Sequence, residues 1–316
     1  MLGKMLLLGG LAAIACGIAA WAYMSGPKSL SPEELAARYE TPLPPPDGPL
    51  TVFHLGHSLV GRDMPAMLAQ LATHDHASQL GWGTPLKAHW EPDEPIQGFE
   101  VENAHDHHRG AQEALASGEF DAFVLTEMVE IEAAIDYFDA ASYFTKWAAA
   151  ARGGNPDIRV FLYETWHELD DPQGWLTRLD TDPDRYWEGV LLAHAMASDP
   201  DKAPIHVIPA GRVLAEFVRR IEATDGVDGV TSREDLFSRQ EDGSVDPIHI
   251  NDLGAYLVAL THYAVLYHRS PVGLPAQLMR ADGSLADAPG PDLAALMQRT
   301  VWDVVSVLPV TGIPQS

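Results

Sequence analysis

One cysteine, Cys16, is all this chain has, so no intramolecular disulfide can form and the fold must rest on its own core. Positive charge is scarce as well: 20 Lys and Arg face 45 Asp and Glu, a formal net charge of −25. That balance argues against nucleic acid as a partner, which requires a basic face, and at low salt it repels anionic membranes and polyanions. A solvated acidic surface and adaptation to a saline habitat would both look like this. Internal repeats are lacking, and low complexity is confined to one proline-rich stretch. Of the 14 histidines, the groups His74 and His76 and His105, His107 and His108 show neither a ligand spacing nor a helix-face pattern. They read as surface-loop residues, and no metal or cofactor is expected.

What is present is enough for a full core: 316 residues, 46% of them hydrophobic, which fits one domain. Behind Lys4, Met5 to Met24 form an almost unbroken apolar run, and about 20 such residues can span a bilayer as a helix. The run is export information and has three readings. It is an uncleaved anchor; or a signal peptide cut near Ala20-Trp21-Ala22; or a lipoprotein leader, since Ala13-Ile14-Ala15-Cys16 loosely resembles a lipobox, although the apolar run continues past Cys16. The expected location is the cell envelope or the periplasmic side, anchored or secreted, with membrane contact through this segment alone. Residues 25–48, with Pro42, Pro44, Pro45 and Pro46, read as a linker that has room for a short helix at Ser31-Pro32-Glu33-Glu34. The domain proper is expected over residues 49–316.

From Leu50 onward, short β-rich runs alternate with longer amphipathic ones. Strands are expected at Thr51 to Leu55, Phe120 to Thr126, Ile158 to Glu164 and Ile205 to Pro209, with a less regular one at Leu86 to Trp90. Helices are expected at Met64 to Ala72, Arg109 to Ala116, Ala140 to Ala151, Arg185 to Ala197, Val213 to Ala223, Leu253 to Tyr267 and Asp292 to Val307. Such alternation implies crossover connections and a mostly parallel sheet covered on both faces, an α/β fold.

Two segments carry chemistry. The first strand ends in Leu55-Gly56-His57-Ser58-Leu59, and a helix follows with Asp63 as its expected N-cap and Pro65 in its first turn. Ligands of parallel sheets sit at the carboxyl ends of the strands, which is where Ser58 falls. A Gly-x-Ser there is also an ordinary turn. Far downstream stands Asp246-Pro247-Ile248-His249-Ile250-Asn251-Asp252, directly before a helical run. An aspartate three residues ahead of a histidine can accept from one ring nitrogen and leave the other to take a serine's proton. The same residues also suit a loop in which Asn251 or Asp252 caps the helix.

Taken together, Gly56-His57-Ser58-Leu59 on the first strand and Asp246-Pro247-Ile248-His249 near the end resemble the first and last blocks of the SGNH hydrolases, the GDSL esterases. The resemblance covers Leu50 to Arg269. It implies a flavodoxin-like three-layer α/β/α sandwich and a triad of Ser58 as nucleophile, His249 as base and Asp246 as its partner. His57 stands where many members carry aspartate. The family also draws oxyanion donors from a glycine in its second block and an asparagine in its third. Here the strand from Phe120 runs into Leu125-Thr126-Glu127-Met128, with no asparagine, and an ionised glutamate cannot donate. Either Glu127 is protonated, or Thr126 or a backbone N–H donates, or Glu127 binds substrate hydroxyls. Gly98 and Asn103 are the second-block candidates, beside the Ser58 N–H.

Glu164-Thr165-Trp166-His167 ends another strand on the same rim, where Glu164, Trp166 and His167 suit a hydroxylated ligand such as a sugar, unless Trp166 packs in the core. The resemblance implies a serine esterase acting on a small-molecule or carbohydrate ester, and the apolar run and these rim residues put O-deacetylation of a carbohydrate or glycoconjugate in the cell envelope in front. An envelope O-acyltransferase with the same triad, a lipase or thioesterase, and a non-catalytic ligand-binding member of the fold stay open beside it.

Overall fold

A computed structural model describes residues 29–199 and 201–315. The apolar run, with Cys16 and Ala20-Trp21-Ala22, lies outside the described residues. Among those described, no helix is long and apolar enough to cross a membrane.

Five strands form one parallel sheet: β1 (Thr51–His57), β2 (Asp75–Gly81), β3 (Ala122–Leu125), β4 (Arg159–Glu164) and β5 (His206–Pro209), in the order β2-β1-β3-β4-β5. Side chains alternate across the sheet with the strand period of two. Val52, Val124, Phe161, Tyr163 and Ile208 enter one core, against helices Asp63–Ala72, Ala210–Glu222, Asp252–Tyr267 and Pro291–Val305. Phe53, Leu55, Phe123, Leu125, Leu162 and Val207 enter the other, against Ala111–Ser117, Ala140–Gly154 and Ala193–Ser198. The result is the three-layer α/β/α sandwich. A separate antiparallel hairpin, β6 (Phe237–Arg239) and β7 (Val245–Ile250), leads into helix Asp252–Tyr267, whose N–H groups at Leu253 and Gly254 are accepted by the Asn251 side chain.

Several expectations are corrected. Leu86–Trp90 is a short helix, because the N–H of Leu86, one of the donors a helix start leaves without a partner, is accepted by the Glu127 carboxylate 41 residues away. β2 escapes the pattern because Ser78 and Gln79 interrupt its apolar run. Both are buried, and Gln79 is satisfied by His89 and by the N–H of Ala111. The histidine segment covers the outer edge of β2, where Ser78 exchanges backbone hydrogen bonds with His107 and Arg109, which blunts an edge otherwise open to pairing. Asp63 is the first helical residue rather than the cap, and its carboxylate accepts from the N–H of Ala281. The Arg185 to Ala197 helix is π-helical over Pro183–Leu192 before it becomes α-helical.

The stretch expected as a linker is, where described, bound to the domain. Ser31 and Glu34 form a capping box on helix Pro32–Ala37. Leu35 and Tyr39 are buried, the Tyr39 hydroxyl donates to the Ile205 carbonyl at 2.6 Å, and Leu43 N–H donates to Gly312. These contacts lie beside the amino ends of the strands, away from Ser58. Prolines block helix and ladder but leave side chains free to pack, which composition does not show.

Candidate active site

Ser58 follows β1 directly. Gly56 has no space for a side chain: a Cβ there would lie 2.6 Å from the Thr126 methyl, so β1 packs tightly on the end of β3. Two buried imidazoles pin this turn. His57 Nε2 donates to the Glu127 carbonyl at 2.8 Å while its Nδ1 accepts from Leu59 N–H. His89 Nε2 donates to the Gly56 carbonyl and its Nδ1 accepts from Gln79. Those partners fix one neutral tautomer for each ring. Burial, opposed by the carbonyl contact, drives both down to about 4, so both are neutral at physiological pH.

The hairpin brings its residues to Ser58 from the other end of the chain. His249 Nε2 lies 3.0 Å from Ser58 Oγ, and His249 Nδ1 lies 3.0 Å from Asp246 Oδ2. Asp246 Oδ1 accepts the N–H groups of Ile248 and His249 at 2.9 and 2.8 Å. Burial works to raise the Asp246 pKa, but these N–H groups and the imidazole outweigh it and hold the carboxyl below its usual value. Asp246 is therefore an anion fixed by local geometry. Asn251, not Asp252, caps the next helix, and Asp246 and His249 lie on β7 rather than in a loop.

Trp166 is buried, and its indole N–H donates to the Ile248 carbonyl at 2.8 Å; Leu169 N–H donates to the Pro247 carbonyl at 2.8 Å. Trp166 thus ties the β4 rim to the strand that carries Asp246 and His249. It does not face the cleft.

The other expected site residues are elsewhere. Asn103 spends its side chain on β2, accepting from Leu80 N–H and donating to the Leu80 and Phe99 carbonyls, so it cannot serve an oxyanion. Gly98 lies under the Trp82 ring. Thr126 is buried and its hydroxyl turns to the Glu127 carbonyl. Glu127 is fully buried; its Oε1 accepts from Leu86 and Met128, at 3.0 and 2.8 Å, and it has no face on the cleft for substrate hydroxyls. Burial raises it to about 7 against those two N–H groups. Glu164 is buried too, ion-paired with Arg212, and raised to about 7 by burial despite that partner. His167 is buried, with Nε2 3.1 Å from Asp182. Of the expected oxyanion and substrate groups only Ser58 lines the cleft.

Metal geometry among the described residues is limited to Glu130, His167 and Asp171, whose ligand atoms lie within 4.8 Å of one another. The Arg178 guanidinium already donates to Glu130, Asp171 and Asp182 at 2.8–2.9 Å and supplies the positive charge there. His76 and His107 stack at 4.2 Å, and His74 bonds the Tyr267 hydroxyl.

Ser58 opens onto a cleft of about 990 Å³ whose walls include Arg62, Trp82, Gly83, Glu102, His105 and Glu168. A second cavity of about 570 Å³ continues past Ser58 on the hairpin side. Sequence reasoning misses Trp82 and Gly83 because it misses β2, the strand that delivers them; the Gly81-Trp82-Gly83 punctuation is the signal available.

Fold and geometry define a class: an α/β/α sandwich with serine, histidine and aspartate aligned at the carboxyl end of its sheet. No family model and no curated protein matches the sequence. Among solved structures, a DUF4886 family protein from Bacteroides uniformis ATCC 8492 is similar at TM-score 0.50 and 12% identity, over 82% of this chain and 95% of that one, a likeness of fold. A carbohydrate esterase family 2 enzyme with a carbohydrate binding domain, from Corynascus thermopiles (Myceliophthora fergusii), aligns over 83% of this chain and 67% of that one at 12% identity, with a TM-score of 0.32.

Proposed function

We propose that this chain is a serine esterase of the SGNH/GDSL kind that removes a short acyl group, acetyl above all, from a carbohydrate or glycoconjugate in the cell envelope. The observation that carries the reading is the continuous line Asp246 Oδ2, His249 Nδ1, His249 Nε2, Ser58 Oγ, with 3.0 Å at both contacts. Ser58 Oγ attacks the ester carbonyl while its proton passes to His249 Nε2; Asp246 holds Nδ1–H and stays ionised, so the imidazolium is stabilised where it forms. The tetrahedral intermediate collapses as His249 protonates the departing alcohol oxygen. Water then attacks the acyl-serine, giving its proton to His249, and the acid and free Ser58 are released.

With Glu127, Thr126 and Asn103 committed elsewhere, the oxyanion falls to backbone N–H groups, and Ser58 and Gly83 are the candidates because both residues line the cleft. The open cleft, lined by carboxylates as well as apolar groups, suits a hydroxylated alcohol and a small acyl group rather than a long acyl chain, which needs an apolar tube. Openness to water on both sides of Ser58 favours hydrolysis over transfer. The apolar run Met5 to Met24 supports export. The test is turnover of 4-nitrophenyl acetate: Ser58→Ala is expected to lower kcat by ~10⁴-fold or more with the thermal midpoint held. Activity retained in that variant overturns the mechanism.

A further inference from the structure

An exposed tryptophan is held in place in the acid-lined cleft that opens at Ser58. Trp82 is 51% exposed, and it lines the same cleft as Ser58. Its ring is held at two points and its backbone at a third. The indole N–H donates to Glu102 Oε1 at 2.8 Å, and the Trp82 backbone N–H donates to the Gln97 carbonyl at 2.8 Å. Gly98, at φ 68°, presses bare backbone against one face: a Cβ on Gly98 would stand 2.2–2.5 Å from three ring atoms. Gly98 is thus a positioning residue that makes room for the ring. What is left is a rigid apolar surface facing water, when burying such a ring is normally favourable.

The neighbourhood says what covers it. Asp63, Glu102, Asp106, Glu168 and Asp282 line this cleft, against Arg62 and Arg280, and Arg280 is tied to Asp252. Carboxylates only accept hydrogen bonds, so the matching ligand is rich in hydroxyl donors and carries no negative charge. A pyranose has that chemistry: hydroxyls around its rim, and axial C–H groups whose partial positive charge meets the negative face of an indole. We propose that Trp82 is the floor of a sugar subsite that stacks a neutral pyranose ring of the glycan bearing the ester, with Glu102 and Asp106 accepting from its hydroxyls. This rests on the esterase reading and narrows its substrate to neutral glycans.

Two substrates separate the claims: 4-nitrophenyl acetate, which has no sugar, and O-acetylated xylotetraose and cellotetraose. The ratio of kcat/KM on the oligosaccharides to that on the small ester is expected to fall ~10-fold or more in Trp82→Ala, chiefly through KM, and at most ~3-fold in Trp82→Phe, which keeps a ring face. An unchanged ratio in Trp82→Ala overturns the subsite, as does Phe failing as badly as Ala, which would mean lost packing rather than lost stacking. Wild type that cleaves the small ester but neither oligosaccharide overturns the subsite and leaves the esterase standing. Wild type that cleaves nothing overturns the esterase, and fluorescence titration with unacetylated xylotetraose and cellotetraose then decides the subsite. Quenching present in wild type and missing in Trp82→Ala supports it, and no quenching by either sugar overturns it.

Discussion

At the ends of β3 and β4 the chain turns its acidic side chains inward, while beyond β1 and on β7 it turns its reactive ones toward the cleft. Glu127 and Glu164 are fully buried and do structural work: one carboxylate caps the Leu86–Trp90 helix, the other pairs with Arg212. His249 by contrast is 46% exposed at its side chain, with Ser58 beside it. Ser58, Glu127 and Glu164 sit at the carboxyl rim of the parallel sheet, and the separate hairpin brings His249 to that rim. Position at a strand end therefore does not make a ligand residue; desolvation decides. A carboxyl that burial lifts to about 7 is held by the fold, whereas Asp246, kept below its usual pKa by two backbone N–H groups, is a stable anion ready to steady a cation.

The comparison breaks most sharply at His249. His249→Ala is expected to cut kcat for 4-nitrophenyl acetate by ~10⁴-fold with little change in thermal midpoint, because an exposed side chain is removed. A tenfold loss or less would mean that the exposed set is not the reactive one.

The buried side is tested by Glu127→Gln. A carboxyl whose folded pKa is about 7 contributes stability that is fully present below its unfolded value and is lost as pH rises through the folded one. Glutamine keeps the acceptor for Leu86 and Met128 and does not titrate. Relative to wild type, the variant should therefore gain stability as pH rises from 5 to 8, by ~3 kcal/mol at most, in urea melts at each pH. Taking the difference cancels the buried histidines, which titrate in both proteins. A constant difference across pH would show that Glu127 is not desolvated as described, and a large change in KM for a sugar ester would return it to the cleft.

Trp166 links the two regions. Trp166→Phe removes the donor to the Ile248 carbonyl, and a loss of ~1 kcal/mol in stability with a ~10-fold fall in kcat and little change in KM is expected. A rise in KM with kcat kept would make Trp166 a substrate contact after all.

Much of the frame is legible in the chain itself. β1, β3, β4 and β5 announce themselves as apolar runs between turn residues, and the long helices by their periodicity. Ser58 and Asp246-Pro247-Ile248-His249 can be paired because each segment keeps its own shape: a strand-end turn, and an aspartate that bonds the next two N–H groups. What stays hidden depends on partners distant in sequence. β2 is polar because Gln79 finds His89 and Ala111; Leu86 opens a helix because Glu127 reaches it; Gly98 matters because a tryptophan 16 residues earlier lies over it. Glutamates at strand ends look alike in sequence whether they meet water or Arg212.

The central claim is that Ser58 is a nucleophile activated by His249. Treating the folded protein with a fluorophosphonate that labels activated serines, then mapping peptides by mass spectrometry, tests it most directly. The account expects one adduct per chain, on the peptide containing Ser58, lost in His249→Ala. An unlabelled wild-type protein, or an adduct on a different residue, would contradict it.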